Sequence, residues 1–248
     1  MKIITCRRTW IFILLILLLG YQIGWSGSSV SSVDSVPVKE WIPELVGVGF
    51  LGTGIAFNHS PAERRIQTDL RNFTGPDFNV QWDDYIQWAP IVEMYLADVG
   101  KVPARSHWFD QSKYLFFANV LSSSITHGLK IVTHKIRPNG ELESWPSGHT
   151  TFAFTNATVL MEEYRSTAPV LAGSGYLFAA GTGFLRMLNN KHWFSDVLAG
   201  AGVGILSTEI IYWIKPFKNF NPFLSRRNIA FRVGLDQRFI SGYFAVKM

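Results

Sequence analysis

Cysteine is almost absent from this chain. Cys6 is the only one, so no intrachain disulfide and no cysteine-based metal site can be built. Charge is sparse as well, at 17% Asp, Glu, Lys and Arg. The basic residues give a net charge of +5 but are scattered, and without a basic stripe a nucleic-acid partner is set aside. No internal repeat or low-complexity tract stands out, which argues against a repeat architecture. What the chain has is apolar surface: 48% hydrophobic residues, with 9 Trp and 19 Phe. Such content suits a protein with several short membrane helices, although a mean hydropathy of +0.14 is low for a fully embedded bundle.

At the N-terminus, Lys2, Arg7 and Arg8 precede an apolar run over 10–19, and 26–32 is mostly small and polar. That is the layout of a secretory signal peptide or a signal anchor over 1–25, and either one exports the chain beyond it. A leading segment, 26–83, contains one short apolar helix over 41–57, and 58–81 reads as a loop. Residues 84–98 mix aromatics with Asp84, Glu93 and Asp98, as an interfacial or protein-buried helix would. A long helix is predicted over 114–136, carrying Lys130 near its end and stopped by Arg137-Pro138. Segments 150–164 and 168–187 make an out-and-back helical hairpin, and 194–214 is a last apolar helix. Lys215, Lys218, Arg226 and Arg227 come after it, which by the positive-inside rule puts that end in the cytoplasm. The tail, 216–248, alternates apolar and other residues from Ile229 to Asp236, a strand pattern expected to form a peripheral hairpin. The core would be 84–215. Together these predict an all-α, membrane-associated helical bundle with a short β-like C-terminal tail.

The chemistry-bearing residues cluster between 130 and 196: Lys130, Arg137, Ser147, Gly148, His149, Arg186, His192 and Asp196. Three fixed cations, two histidines, a small-residue turn and a carboxylate are what a site for a phosphate dianion needs. The hairpin returns Arg186 and His192 to the level of His149. Asp196 lies one helical turn after His192, where it can accept the far ring N–H and fix the tautomer. Gly148 and Ser147 precede a helix start, where backbone N–H groups point at anions. His127, His134 and Lys135 are left as structural residues, and His59 and His107 as solvated or capping ones. No metal-ligand spacing exists without dismembering the phosphate motif, so no metal and no cofactor are expected.

These residues resemble the type 2 phosphatidic acid phosphatase superfamily, which also includes bacterial acid phosphatases and vanadium haloperoxidases. Lys130 and Arg137-Pro138 match its first motif, and Pro146-Ser147-Gly148-His149 its second. Arg186, His192 and Asp196 match the third, with Leu185 in place of a serine. The resemblance covers about 84–215. It implies His192 as a nucleophile forming a phosphohistidine, and His149 as the acid that protonates the leaving oxygen and later activates water. Lys130, Arg137 and Arg186 would hold the nonbridging oxygens. The implied protein is a metal-independent lipid phosphomonoesterase acting on a membrane lipid phosphate of lipid A type or another lipid. It would sit in a bacterial cytoplasmic membrane with the site facing the periplasm. A soluble periplasmic acid phosphatase, a vanadate haloperoxidase and a non-catalytic phospholipid-binding membrane protein are the competing readings.

Overall fold

The computed structural model describes residues 42–224, and the backbone of 229–236 and 239–246. Eight helices occupy the first range: α1 (Ile42–Phe57), α2 (Pro61–Thr74), α3 (Trp82–Ile86), α4 (Ala89–Val99), α5 (Trp108–Thr133), α6 (Gly148–Tyr164), α7 (Pro169–Leu188) and α8 (Phe194–Ile214). Strands β1 (Ile229–Asp236) and β2 (Phe239–Val246) pair antiparallel, with Ile229 opposite Val246. The exporting segment and the Arg226-Arg227 pair lie outside the described residues.

Three expectations change. The polar stretch after α1 is a helix, not a loop. Ser60 caps α2 by accepting the Glu63 N–H at 3.1 Å, Pro61 takes the first turn, and Glu63 accepts the His59 N–H at 2.9 Å. Ser60 fills the N-cap role that Ser-Pro-x-Glu encodes, while Glu63 reaches one residue past the cap, to His59. The stretch 84–98 is two helices, because the chain breaks at Gln87 and Trp88 and restarts with Pro90 in a first turn. The long helix α5 spans 108–133 instead of 114–136. His107 caps its start through Nδ1, 3.3 Å from the Phe109 N–H, as foreseen for a capping histidine. Proline does not end it. His134 does, in the left-handed conformation at φ 46°, with its N–H on the Lys130 carbonyl.

Helix α8 is the pivot of the packing. It runs antiparallel to α1 through glycines: a Cβ on Gly202 would lie 2.6 Å from the Leu51 nitrogen, and one on Gly54 would lie 2.7 Å from the Ala199 nitrogen. Backbones can meet this closely only where side chains are missing. Because Gly54 meets Ala199 and Gly47 meets Leu206, α1 begins at the end of the bundle where α8 finishes. The α6–α7 hairpin packs Ala153, Ala157 and Ala179 against Ala201 and Ile205. A second core joins Met94, Tyr114, Leu160, Tyr164 and Tyr212. At the Tyr164 end, buried Glu163 accepts from Tyr212 at 2.6 Å and from the Ser106 N–H at 2.8 Å, closing the bundle there. The opposite end holds the candidate site.

The flanks between the two ends carry apolar side chains outward. Leu45, Val48 and Ile55 of α1, Val120 and Ile125 of α5, and Leu177 and Phe184 of α7 are all exposed. Among the described residues, two helices, α5 and α8, are long and apolar enough to cross a membrane.

Candidate active site

Four pieces of chain meet at this end. The last turn of α5 brings Lys130, the first turn of α6 brings His149, the last turn of α7 brings Arg186, and the first turn of α8 brings Asp196, with His192 just before it. Helices α2 and α3 lie over them. The hairpin therefore does return Arg186 and His192 to His149, as its length requires.

Asp196 is fully buried and uses both oxygens. Oδ2 accepts the Trp193 N–H at 2.8 Å and the Ser144 hydroxyl, and Oδ1 accepts from the Lys135 ammonium at 2.9 Å. The Trp193 contact closes the first turn of α8, so the same carboxylate caps the helix and serves the site. His192, 1% exposed, points Nδ1 at Oδ2 from 3.4 Å, too long for a formed hydrogen bond. Nδ1 has no other partner among the described residues, so a small ring movement makes that bond. The remaining ring nitrogen, Nε2, is the one free to act on a substrate. Burial is the main cause that pushes the His192 pKa down to about 4; Arg186 and Lys130 add to the push, and Asp196 opposes it. The ring is neutral at pH 7 and its lone pair available.

His149 stands at the start of α6, 32% exposed, with Nε2 2.8 Å from Asp84 Oδ1 on α3. Burial first and Arg186 second lower its pKa, while the Asp84 contact raises it. Trp88 meets Phe152 edge-on at 4.6 Å and ties the α3–α4 corner to this turn. Gly148 is informative by what surrounds it. A Cβ there would meet nothing within 4 Å, and its φ is not positive, so neither packing nor backbone conformation calls for glycine. It opens the first turn of α6, beside N–H groups that a helix start leaves without intrahelical acceptors.

Ser147 is different from what the sequence led us to expect. Its N–H is already donated to the Asp196 carbonyl at 2.9 Å, and its buried hydroxyl accepts from Thr150 at 2.9 Å. The cause is the close crossing of α8, where a Cβ on Gly200 would lie 2.7 Å from the Ser147 carbonyl. Ser147 thus fastens α6 to α8, and its N–H is not free for a phosphate.

The cations are held by different partners. Arg186 is buried, with NH1 2.7 Å from Asp83, which also takes the Asn189 amide at 3.0 Å. Its Nε has no partner among the described residues. Lys130 donates to the Glu143 carbonyl. Arg137 pairs at 2.7 Å with the exposed Glu141, a partner that an incoming anion can displace. The sequence singles out neither Asp83 nor Glu63, and it gives Asp84 only as an acidic residue of an interfacial or buried helix and Lys135 only as structural. Only Glu63 carried a local signal, the capping pattern after Ser60. A separate cavity of about 770 Å³, lined by Val46, Phe50, Phe154, Tyr176 and Ile205, lies away from these residues between α1, α6, α7 and α8.

Residues 111–220 match the PAP2 superfamily. The match takes in every motif residue from Lys130 to Asp196. A lipid A 1-phosphatase of Porphyromonas gingivalis is 36% identical over 145 residues, covering 57% of this chain and 33% of that protein. An acid phosphatase of Zymomonas mobilis is 39% identical over 71 residues, covering 28% of this chain and 25% of that protein. The chain therefore spans a third or less of these curated relatives. In three dimensions it resembles a transmembrane PAP2-type phosphatidylglycerolphosphate phosphatase from Bacillus subtilis. The TM-score is 0.50 at 15% identity, covering 74% of this chain and 99% of that one. That likeness bears out the all-helical bundle expected from the segments.

Proposed function

We propose that the chain is a metal-independent phosphomonoesterase acting on a membrane lipid phosphate through a phosphohistidine. The observation that carries this reading is a neutral, buried His192 backed by Asp196 and placed among Lys130, Arg186 and His149. Nε2 of His192 attacks phosphorus and the bond to the lipid oxygen breaks. His149 gives that oxygen its proton. The neutral His149 then takes a proton from water as its oxygen attacks phosphorus, the P–N bond breaks, and inorganic phosphate leaves with His192 restored. Lys130, Arg137, Arg186 and the N–H groups at Gly148 and His149 neutralise the nonbridging oxygens.

A lipid as substrate is supported by two things. The 36% identical relative is named a lipid A 1-phosphatase. The apolar flanks also favour a pocket at the polar boundary of a bilayer, where a lipid's phosphate lies. We place the pocket on the periplasmic side of the bacterial cytoplasmic membrane, because Lys215 and Lys218 come after α8 at the other end. The soluble acid phosphatase reading draws on the Zymomonas mobilis relative, and a phosphatase that needs no detergent for extraction would favour it.

The test is phosphate release from a panel of lipid phosphates in detergent. Activity should persist in EDTA, and loss that Mg²⁺ or Zn²⁺ restores overturns the metal-free mechanism. His192→Ala should form no phosphoenzyme, and His149→Ala should slow turnover at least ~100-fold. Phosphoenzyme trapped at full yield in His192→Ala overturns the assignment.

A further inference from the structure

Beneath the site lies a charged triad outside the three motifs' phosphate ligands. The Lys135 ammonium, 4% exposed, donates to Glu63 Oε1 at 2.8 Å, Ser195 Oγ at 2.8 Å and Asp196 Oδ1 at 2.9 Å. Those three contacts exhaust its donors. Ser195 donates in turn to Glu63, and the Lys135 ammonium lies 5.8 Å over the Trp193 ring. Three elements are joined here: α2 through Glu63, the loop after α5 through Lys135, and α8 through Ser195 and Asp196. The same loop returns a second tie, because the Ser144 N–H bonds the Lys135 carbonyl at 2.8 Å and the Ser144 hydroxyl bonds Asp196.

A carboxylate with no exposed surface does not stay ionised and fixed without a cation and hydrogen bonds. Asp196 has both, and Lys135 is the cation. Glu63 is a second buried anion on that one cation, so the triad carries a net charge of −1. This matters when His192 bonds phosphorus, because an imidazole that has spent its lone pair becomes cationic.

We infer, on the phosphatase reading above, that Lys135 is a positioning residue that holds Asp196 ionised and aimed at His192, and that Glu63 sets the negative charge facing the phosphorylated ring. Lys135 touches neither substrate nor reacting atoms. It acts through Asp196.

Purified protein in detergent tests this with wild type, Glu63→Gln and the paired Glu63→Gln/Lys135→Met, which avoids stranding two carboxylates. The readouts are Tm, KM, the rate of phosphoenzyme formation, and the acid limb of kcat/KM set by protonation of His192. The charges on His192 come from Asp196 on α8, Arg186 on α7 and Lys130 on α5, and these stay in place. In the paired variant Asp196 loses its cation, so the buried Asp196–His192 pair takes up a proton more readily and the limb moves to higher pH. Phosphoenzyme formation should fall ~10–100-fold at nearly unchanged KM, the scale of a misplaced reacting group. Glu63→Gln removes an anion while Lys135 stays, so its limb moves to lower pH. Opposite displacements are something a purely structural clamp does not produce.

Limbs that stay put in both variants, with only Tm lowered, overturn the inference and leave the phosphatase reading intact. If the paired variant does not fold, Glu63→Gln decides by itself, and an unmoved limb there overturns the proposal. A wild-type chain that releases no phosphate from any lipid in the panel sinks the phosphatase reading and the inference with it.

Discussion

Each histidine of the site faces a carboxylate, and the two pairs have opposite tasks. On the proposed mechanism, Asp196 backs a ring that must be neutral to attack, whereas Asp84 contacts a ring that must carry a proton to give away. At His149 the burial and Arg186 work against the proton and Asp84 works for it. Activity that needs the protonated ring is lost as pH rises through its pKa. Asp84→Asn removes the raising influence, so the alkaline limb of kcat should move to lower pH while the Tm stays near that of wild type. A pH–rate profile checks this, and an unmoved alkaline limb would separate Asp84 from catalysis. At this scale the sequence was half legible. Lys130, Arg137, His149, Arg186, His192 and Asp196 stand at motif spacing, and the geometry brings most of them together. Asp84 meets His149 across 65 positions and Asp83 meets Arg186 across 103, and no local spacing announces such pairs. Lys135 lies inside the first motif yet reads as structural, because its partner Glu63 comes from a polar stretch whose composition reads as a loop.

Among the elements, α8 was the most legible: the structure gives it the predicted bounds, 194–214. Apolar length and flanking charge were enough. The end of α5 was not, because a left-handed histidine is allowed without being signalled, while Pro138 four residues on gives a stronger and misplaced stop signal. The α1–α8 crossing makes a quantitative prediction. Gly202→Ala puts a methyl group against the α1 backbone, where the neighbour is not a flexible side chain. It should destabilise the bundle by about 1–3 kcal/mol, the usual cost of overpacking. Gly173→Ala in α7 meets nothing within 4 Å and should be neutral or stabilising by up to about 1 kcal/mol. Thermal unfolding in detergent compares the two, and equal effects would show that the crossing is not tight.

For the molecule as a whole, charge marks out a slab. The helices are uncharged over 114–129 in α5 and 169–185 in α7, about 24–26 Å at the usual helical rise. That is slightly thinner than a bilayer core of about 30 Å. Charges gather at both ends. The structure adds a constraint that the sequence did not show. Helices α1 and α8 have their outer ends together, so residue 42 and residue 214 lie on one side of the slab. An N-terminal segment that exports the chain beyond it and a cytoplasmic Lys215 then demand opposite sides, because the polar stretch 26–36 is unsuited to crossing back. A single cysteine, in a variant with Cys6 replaced, resolves the conflict with a membrane-impermeant label. Placed at Asn139 by the site it should label in intact spheroplasts, and placed at Ser166 in the turn between α6 and α7 it should not. The reverse pattern puts the pocket in the cytoplasm. Labelling at both sites would make the whole bundle peripheral on the outer face.

The buried triad also sets a schedule for biosynthesis. Glu63 meets Lys135 across 72 positions and Ser195 across 132. At roughly 5–20 residues per second, the ribosome needs about 4–14 s to supply the cation and about 7–26 s to reach Ser195 at the start of α8. Until then Glu63 is a carboxylate without its lysine, and the place it will occupy does not exist. The last residues to reach this end of the bundle are those of α8, the helix that packs against α1. A ribosome paused before codon 196 holds a chain with both ends of the hairpin made and no carboxylate behind His192.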